Sequence, residues 1–274
     1  MQGMDAFAPA EIAQLVRTRG VAKARAGVVP TFVLGVLAGA FIAMGGVFAT
    51  LVATDSGLGY GPTRLLAGVA FSLGLILVVI AGAELFTGNN LIVMATASGQ
   101  VRVGQLLRNW IIVYLGNMVG AVSVAIMVAF AEWWTLDDAA VGATALTAAV
   151  SKASLPFATV FWRGVLANAL VCLAVWIATG GRSVMDKVIA IVPPIAAFVA
   201  NAFEHSVANM YALSIGFLLK GEPALSGVDT AGLTPAGAIR NLVASTIGNI
   251  VGGALLVGLV YWFVYLRPSD QEPG

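Results

Sequence analysis

Charge is what this sequence has least of. Asp, Glu, Lys and Arg make up 10% of its 274 residues, against about 25% in a soluble domain. That scarcity excludes an ordinary cytosolic enzyme, a nucleic-acid binder and a disordered tail protein. The net charge of +1 offers no global field for a polyanionic partner. A single cysteine, Cys172, excludes an intrachain disulfide framework and any multi-cysteine metal site. A single histidine, His205, cannot complete a histidine-based metal set. With no glycine-rich nucleotide motif either, no cofactor and no metal are expected. The first 25 residues are polar and end in a basic run, unlike a signal peptide. What the chain does have is apolar surface: 59% hydrophobic residues and a mean hydropathy of +0.95. Its 32 glycines and 10 prolines suit membrane helices. The sequence reads as an integral membrane protein.

Charge-free intervals locate the spans, because a helix crossing roughly 30 Å of hydrocarbon needs about 20 apolar residues. Uncharged runs lie between Arg25 and Asp55, Arg108 and Glu132, Arg163 and Arg182, and Arg240 and Arg267. These read as four ordinary transmembrane helices. Two further regions, Leu65–Val101 and Val188–Leu219, each carry a single charge, Glu84 in the first and Glu204, beside the only histidine His205, in the second. Each is too long for one helix and too short for two with a loop, so each reads as one interrupted span. The expectation is a six-span domain over 27–267, between an N-terminal segment 1–26 and a tail 268–274.

Basic residues orient it. With the N-terminus inside, Arg17, Arg19, Lys23, Arg25, Arg102, Arg108, Arg182, Lys187 and Arg267 are cytoplasmic. Arg64, Lys152, Lys220 and Arg240 face outward. Nine against four follows the positive-inside rule and places both termini in the cytoplasm. The 10–26 segment reads either as an interfacial amphipathic helix, through Ile12, Leu15, Val16 and Val21, or as a plain orientation signal.

The two halves match in order. Gly35-Val36-Leu37-Ala38 recurs as Gly164-Val165-Leu166-Ala167, Glu84 and Asn89 recur as Glu204 and Asn209, and Gly116-Asn117-Met118-Val119-Gly120 recurs as Gly248-Asn249-Ile250-Val251-Gly252. Each repeat, about 27–131 and about 155–266, holds three spans, so the second copy enters the membrane upside down. An inverted repeat places the pathway between its halves. The small pairs Gly116/Gly120 and Gly248/Gly252 allow close packing of the third and sixth spans. The fold class is all-α, with six transmembrane helices in two inverted three-helix repeats and the second and fifth helices broken.

Broken helices at matching positions point to a binding site, because unpaired backbone is tolerated at membrane depth only beside protein or a water-filled cavity. The first break centres on Gly82–Asn90 and includes Glu84, Phe86, Gly88 and Asn89. The second centres on Asn201–Asn209. An ionisable His205 at such depth is costly and marks a functional group. It reads as a pore-lining donor that meets a small anion or exchanges a proton with it; the plainer reading is a packed histidine bonded to a backbone carbonyl. Glu84 and Glu204 read either as translocation groups or as acceptors of backbone N–H bonds at the breaks. Asn168, mid-helix in the fourth span, reads as a hydrogen-bond partner behind them, and Cys172 as a small apolar residue.

Phe203-Glu204-His205-Ser206-Val207-Ala208-Asn209-Met210, with Glu84-Leu85-Phe86-Thr87-Gly88 and Leu166–Leu173, resembles the formate/nitrite transporter family, over about residues 27 to 266. The stretches Gly181–Lys187 and Gly104–Trp110 look most like its formate channels. The resemblance implies an aquaporin-like protomer with its own pore in a homopentamer, in the inner or plasma membrane. It implies an outer slit of Phe71 and Phe198 and an inner slit of Leu75, Leu85 and Val171. Thr87 matches a threonine facing the histidine, and Lys152, in an Ala-rich outer loop from Glu132, a lysine that attracts the anion. Glu204 and Asn168 match residues that orient loop and histidine. The implied partner is a small monovalent anion: formate first, then nitrite, hydrosulfide or a short carboxylate. It would cross the slits as a neutral acid protonated at His205, or as an anion hydrogen-bonded to His205 and Thr87.

Two other classes compete. A water or polyol channel of this architecture usually carries paired Asn-Pro-Ala caps, which this sequence lacks. A membrane-embedded enzyme would use Glu84, Glu204 and His205 as an acid/base cluster, but the loops are short.

Overall fold

A computed structural model describes residues 6–267. The expected tail 268–274 and the first five residues of the N-terminal segment lie outside the described residues. Helix α1 (Pro9–Arg25) is followed by α2 (Val28–Ala53) and α3 (Tyr60–Leu77), which passes into a π-helical turn, Val78–Gly82. After a break come a 3₁₀ segment (Gly88–Ile92) and α4 (Val93–Ala97), then α5 (Val103–Phe130). The second half runs α6 (Ala140–Ser154), α7 (Phe157–Gly180), α8 (Val184–Ala200), α9 (Ser206–Leu219) and α10 (Pro235–Ile250), with a π-helical segment (Val251–Leu259) joining α10 to α11 (Val260–Tyr265).

Among the described residues, five helices are long and apolar enough to cross a bilayer: α2, α3 with its π turn, α5, α7, and α10 through α11. The remaining crossing is shared by α8 and α9, either side of the second break. α5 packs on α2, α10 on α7, and α3 on α8. Glycines permit this closeness: a methyl on Gly120 would overlap the Val36 carbonyl, and one on Gly252 the Val165 carbonyl. The third and sixth spans thus pack onto the first and fourth, each within its own repeat.

Both breaks are built alike. At Gly82 (φ +84°) and at Ala202 (φ +53°) the backbone turns left-handed, and the two stand 120 positions apart, as Glu84 and Glu204 do. Beyond the turn the Glu84 N–H donates to the Leu34 carbonyl (3.1 Å) and the Glu204 N–H to the Arg163 carbonyl (3.3 Å). The exposed backbone of the breaks is not capped by the carboxylates, contrary to one sequence expectation. Asn117 does it, accepting from the Phe86 N–H and donating to the carbonyls of Gly35 and Glu84. Asn249 repeats the pattern on Ser206, Gly164 and Glu204. An amide both donates and accepts, whereas a carboxylate only accepts.

Two segments differ from their sequence reading. The expected outer loop from Glu132 to Lys152 contains α6, whose buried face includes Val141, Leu146 and Ala149. The N-terminal segment is helical over Pro9–Arg25. It buries Ile12, Ala13, Val16, Gly20 and Ala24 against the 3₁₀ segment, α4 and α7, so one face of it packs on protein, while Leu15 and Val21 are half-buried.

Candidate functional site

Two vestibules approach each other from opposite ends of the molecule. One, beneath α1, has a volume of about 430 Å³ and is lined by Arg19, Lys23, Leu75, Glu84, Leu85 and Asn89, among others. The other, beside α6, is about 270 Å³ and includes Phe71, Lys152, Arg163, Phe198, Glu204 and His205 in its wall. Thr87 lines neither: it is fully buried between them, with Oγ1 2.9 Å from His205 Nε2. This contact is where the two broken helices meet.

Each vestibule carries one ion pair, and these are the two ion pairs found among the described residues. Lys23 Nζ lies 3.1 Å from Glu84 Oε1, and Lys152 Nζ 3.0 Å from Glu204 Oε1. The surroundings are copied with them. Asn89 Nδ2 donates to Glu84 Oε2 (2.6 Å) and to Asn109 Oδ1 (2.9 Å), while Asn109 Nδ2 donates to the Lys23 carbonyl (3.2 Å). Asn209 Nδ2 donates to Glu204 Oε2 (2.6 Å) and to Asn241 Oδ1 (2.8 Å), while Asn241 Nδ2 donates to the Lys152 carbonyl (3.0 Å). The internal correspondence therefore extends to α1 and α6. Sequence reading gave Lys23 only an orienting role, passed over Asn109 and Asn241 as site residues, and took the motifs of Asn117 and Asn249 as a repeat and a packing surface. The spacing was there to find: 132 positions separate both asparagine pairs, and 129 separate Lys23 from Lys152.

His205 is the N-cap of α9. Its Nδ1 accepts from the Ala208 N–H at 3.1 Å. A ring nitrogen that accepts carries no proton, so the neutral imidazole holds its proton at Nε2, facing Thr87. The packed-histidine alternative of a bond to a backbone carbonyl is not what the structure has. Asn168 Nδ2 reaches the carbonyls of Thr87 (3.3 Å) and Asn249 (2.7 Å). Cys172 is buried and its Sγ donates to the same Thr87 carbonyl at 3.4 Å.

Known proteins share this arrangement of spans. The formate/nitrite transporter family model matches residues 10–263. The chain belongs to the formate/nitrite transporter family. The formate channel FocA of Escherichia coli (strain K12) is 40% identical over 278 residues, covering 98% of each chain. A probable formate transporter of Methanothermobacter thermautotrophicus is 39% identical over 97% of this chain and 99% of its own. Among solved structures, a pentameric formate channel with formate bound superposes with a TM-score of 0.82 at 39% identity, covering 88% of this chain and 98% of that one. An FNT family ion channel gives the same TM-score at 29% identity, over 93% and 98%.

Membership makes this a membrane transport protein and removes the enzyme reading. Within the transporter fold, the residues expected to line the passage are not all on its walls. Phe71 and Phe198 meet edge to face, their ring centres 5.5 Å apart, on the His205 side. Leu75 and Leu85 line the α1 vestibule together with Gly88 and Asn89, and Val171 is buried in the same apolar core. Phe86 points elsewhere, packing against Trp110 and Tyr114. Asn168 stands behind the Thr87 segment and is part of neither vestibule wall. Among the described residues no cluster of His, Cys, Asp and Glu is arranged to hold a metal.

Proposed function

We propose that this protein conducts small monovalent anions, formate first among them, through a pore in each protomer of a homopentamer. The observation that carries the reading is the buried Thr87–His205 contact between two lysine-bearing vestibules. The relatives' formate-channel character, and the pentameric state of the solved relative, support substrate and assembly. By the excess of Lys and Arg, α1 faces the cytoplasm and α6 the outside of the inner membrane, with both termini inside.

Either lysine attracts an anion, and Lys152 and Lys23 give both directions the same start. The partner carboxylates keep each lysine from holding the anion tightly. A bare anion does not cheaply pass Phe71 and Phe198 on one side or Leu75, Leu85 and Val171 on the other. At the junction it meets the Nε2–H of His205 and the Thr87 hydroxyl. Because Nδ1 is occupied by the Ala208 N–H, the neutral ring offers a hydrogen bond without giving up its only proton. Passage as a hydrogen-bonded anion follows directly; passage as a neutral acid requires a proton from an imidazolium or a linked water. Glu204 holds Lys152 in place, and Asn89 and Glu84 do the same for Lys23.

The test is anion uptake into proteoliposomes, comparing formate, nitrite and hydrosulfide at two pH values for wild type and His205→Ala. Saturable formate flux that collapses in the variant supports the pathway, and its pH dependence separates the two routes. Nitrite or hydrosulfide flux without formate flux keeps the pathway and replaces the substrate. Undiminished flux in His205→Ala overturns it.

A further inference from the structure

The two repeats differ at one instructive place. Gly35-Val36-Leu37-Ala38-Gly39-Ala40 becomes Gly164-Val165-Leu166-Ala167-Asn168-Ala169, so Asn168 stands where the first repeat has Gly39. In the first repeat the Gly39 backbone lies directly on the Asn117 carbonyl, leaving no room for a side chain, and α5 is regular α-helix over Val103–Phe130. In the second repeat the Asn168 amide occupies that place and donates to the Asn249 carbonyl at 2.7 Å. Just beyond Asn249 the sixth span changes from α- to π-helix, Val251–Leu259, the pairing lengthening from four residues to five.

That change alters which residues share a face. In an α-helix residues five apart point about 140° away from each other; in a π-helix they come onto one side. Gly253 and Gly258 are five apart, and both abut the segment that follows Thr87. A methyl on Gly253 would overlap Asn168 Nδ2 and come 2.8 Å from Cys172 Sγ and 3.0 Å from Asn90 Cβ; one on Gly258 would crowd Val93 Cγ1. The second N–H of Asn168 is shared between Asn90 Oδ1 (3.2 Å) and the Thr87 carbonyl (3.3 Å), which the Cys172 thiol bonds as well.

We infer that the π-helical segment of the sixth span is a positioning element for Thr87. Gly253 leaves space for the Asn168 amide, and Asn168 with Cys172 fixes the Thr87 carbonyl, hence the placement of its hydroxyl against His205. The device exists in one repeat only, on the side that serves Thr87. It rests on the reading of the Thr87–His205 contact as the passage point.

The test uses the full-length protein in proteoliposomes, with formate flux and the ¹⁵N resonances of His205, which as the chain's only histidine is assigned without ambiguity. Gly253→Ala and Asn168→Ala are each expected to lower flux by roughly fivefold, the effect of losing the one bond by which Asn168 holds the Thr87 carbonyl, and to move the Nε2 resonance. The double variant should be no worse than the poorer single, because both act through one contact. Should Gly253→Ala fail to fold, Asn168→Ala, which only removes atoms, carries the test. Unchanged Nε2 resonance, unchanged flux or additive losses overturn the inference. Flux persisting in His205→Ala would instead overturn the reading beneath it.

Discussion

Asn117 and Asn249 stand 132 positions apart and make the same three hydrogen bonds, each tying a broken helix to the span before it. Both side chains are fully buried. They give the opened backbone partners at membrane depth, for the Phe86 and Ser206 N–H groups and for the Glu84 and Glu204 carbonyls.

Asn249→Ala strands the Glu204 carbonyl and the Ser206 N–H and removes the second bond to the Gly164 carbonyl, which keeps its pairing within α7. Each buried unpaired group costs about 1–3 kcal/mol, so the thermal transition of the detergent-solubilised protein is expected to fall clearly. Asn117→Ala should do the same. A transition matching wild type in either variant would refute the capping role.

Lys152→Met removes the cation from a buried ion pair and leaves Glu204 only its bonds from Asn209 and Asn241, which is expected to destabilise by about 3–5 kcal/mol. Lys23→Met should cost less, because the Lys23 and Glu84 side chains keep 33% and 15% of their exposure against 22% and 3% for Lys152 and Glu204. Adding Glu204→Gln to Lys152→Met should restore stability but not anion flux. Chemical denaturation and uptake on the same preparations separate the two effects, and equal costs at both ends would count against the burial argument.

Thr87→Ser keeps the hydroxyl that meets His205 and is expected to retain most of the flux. Thr87→Val keeps the shape without the hydroxyl; flux should drop by about an order of magnitude, the scale expected when an apolar passage is left with one hydrogen-bonding group fewer. Equal flux in the two variants would show that volume, not hydrogen bonding, governs the junction.

At the start of α8, outside the bilayer, Asp186 accepts from the backbone N–H groups of Ser183 (2.9 Å) and Arg182 (3.0 Å). Those bonds, Ser183's foremost, hold its carboxyl below the ordinary carboxylate range. A carboxyl depressed on folding stabilises above its unfolded pKa and loses that contribution as pH falls through the folded one. Asp186→Asn should therefore be less stable than wild type at neutral pH, with the gap closing in acid. A gap that is constant across pH would rule this out.

Much of the fold was legible in the sequence because the bilayer imposes one-dimensional rules. Charge-free length marked the spans, three matching motifs marked the repeat, and a lone histidine at depth singled out the residue that the structure buries against Thr87. The gaps in that reading have physical causes. α6 is rich in Ala with no long apolar run, so hydropathy does not separate it from a loop. The partners of Glu84 and Glu204 lie 61 and 52 positions upstream, and a local window does not pair residues so far apart. Which groups cap the breaks depends on the donor and acceptor count of side chains arriving from another span. Composition, charge-free length and recurring motifs determined an inverted six-span membrane protein with two broken helices. Only the tertiary structure decided that Lys23 mirrors Lys152, that asparagines and not carboxylates close the breaks, and that the sixth span turns π-helical beside Asn168. Those are contacts between distant segments, set by packing in three dimensions.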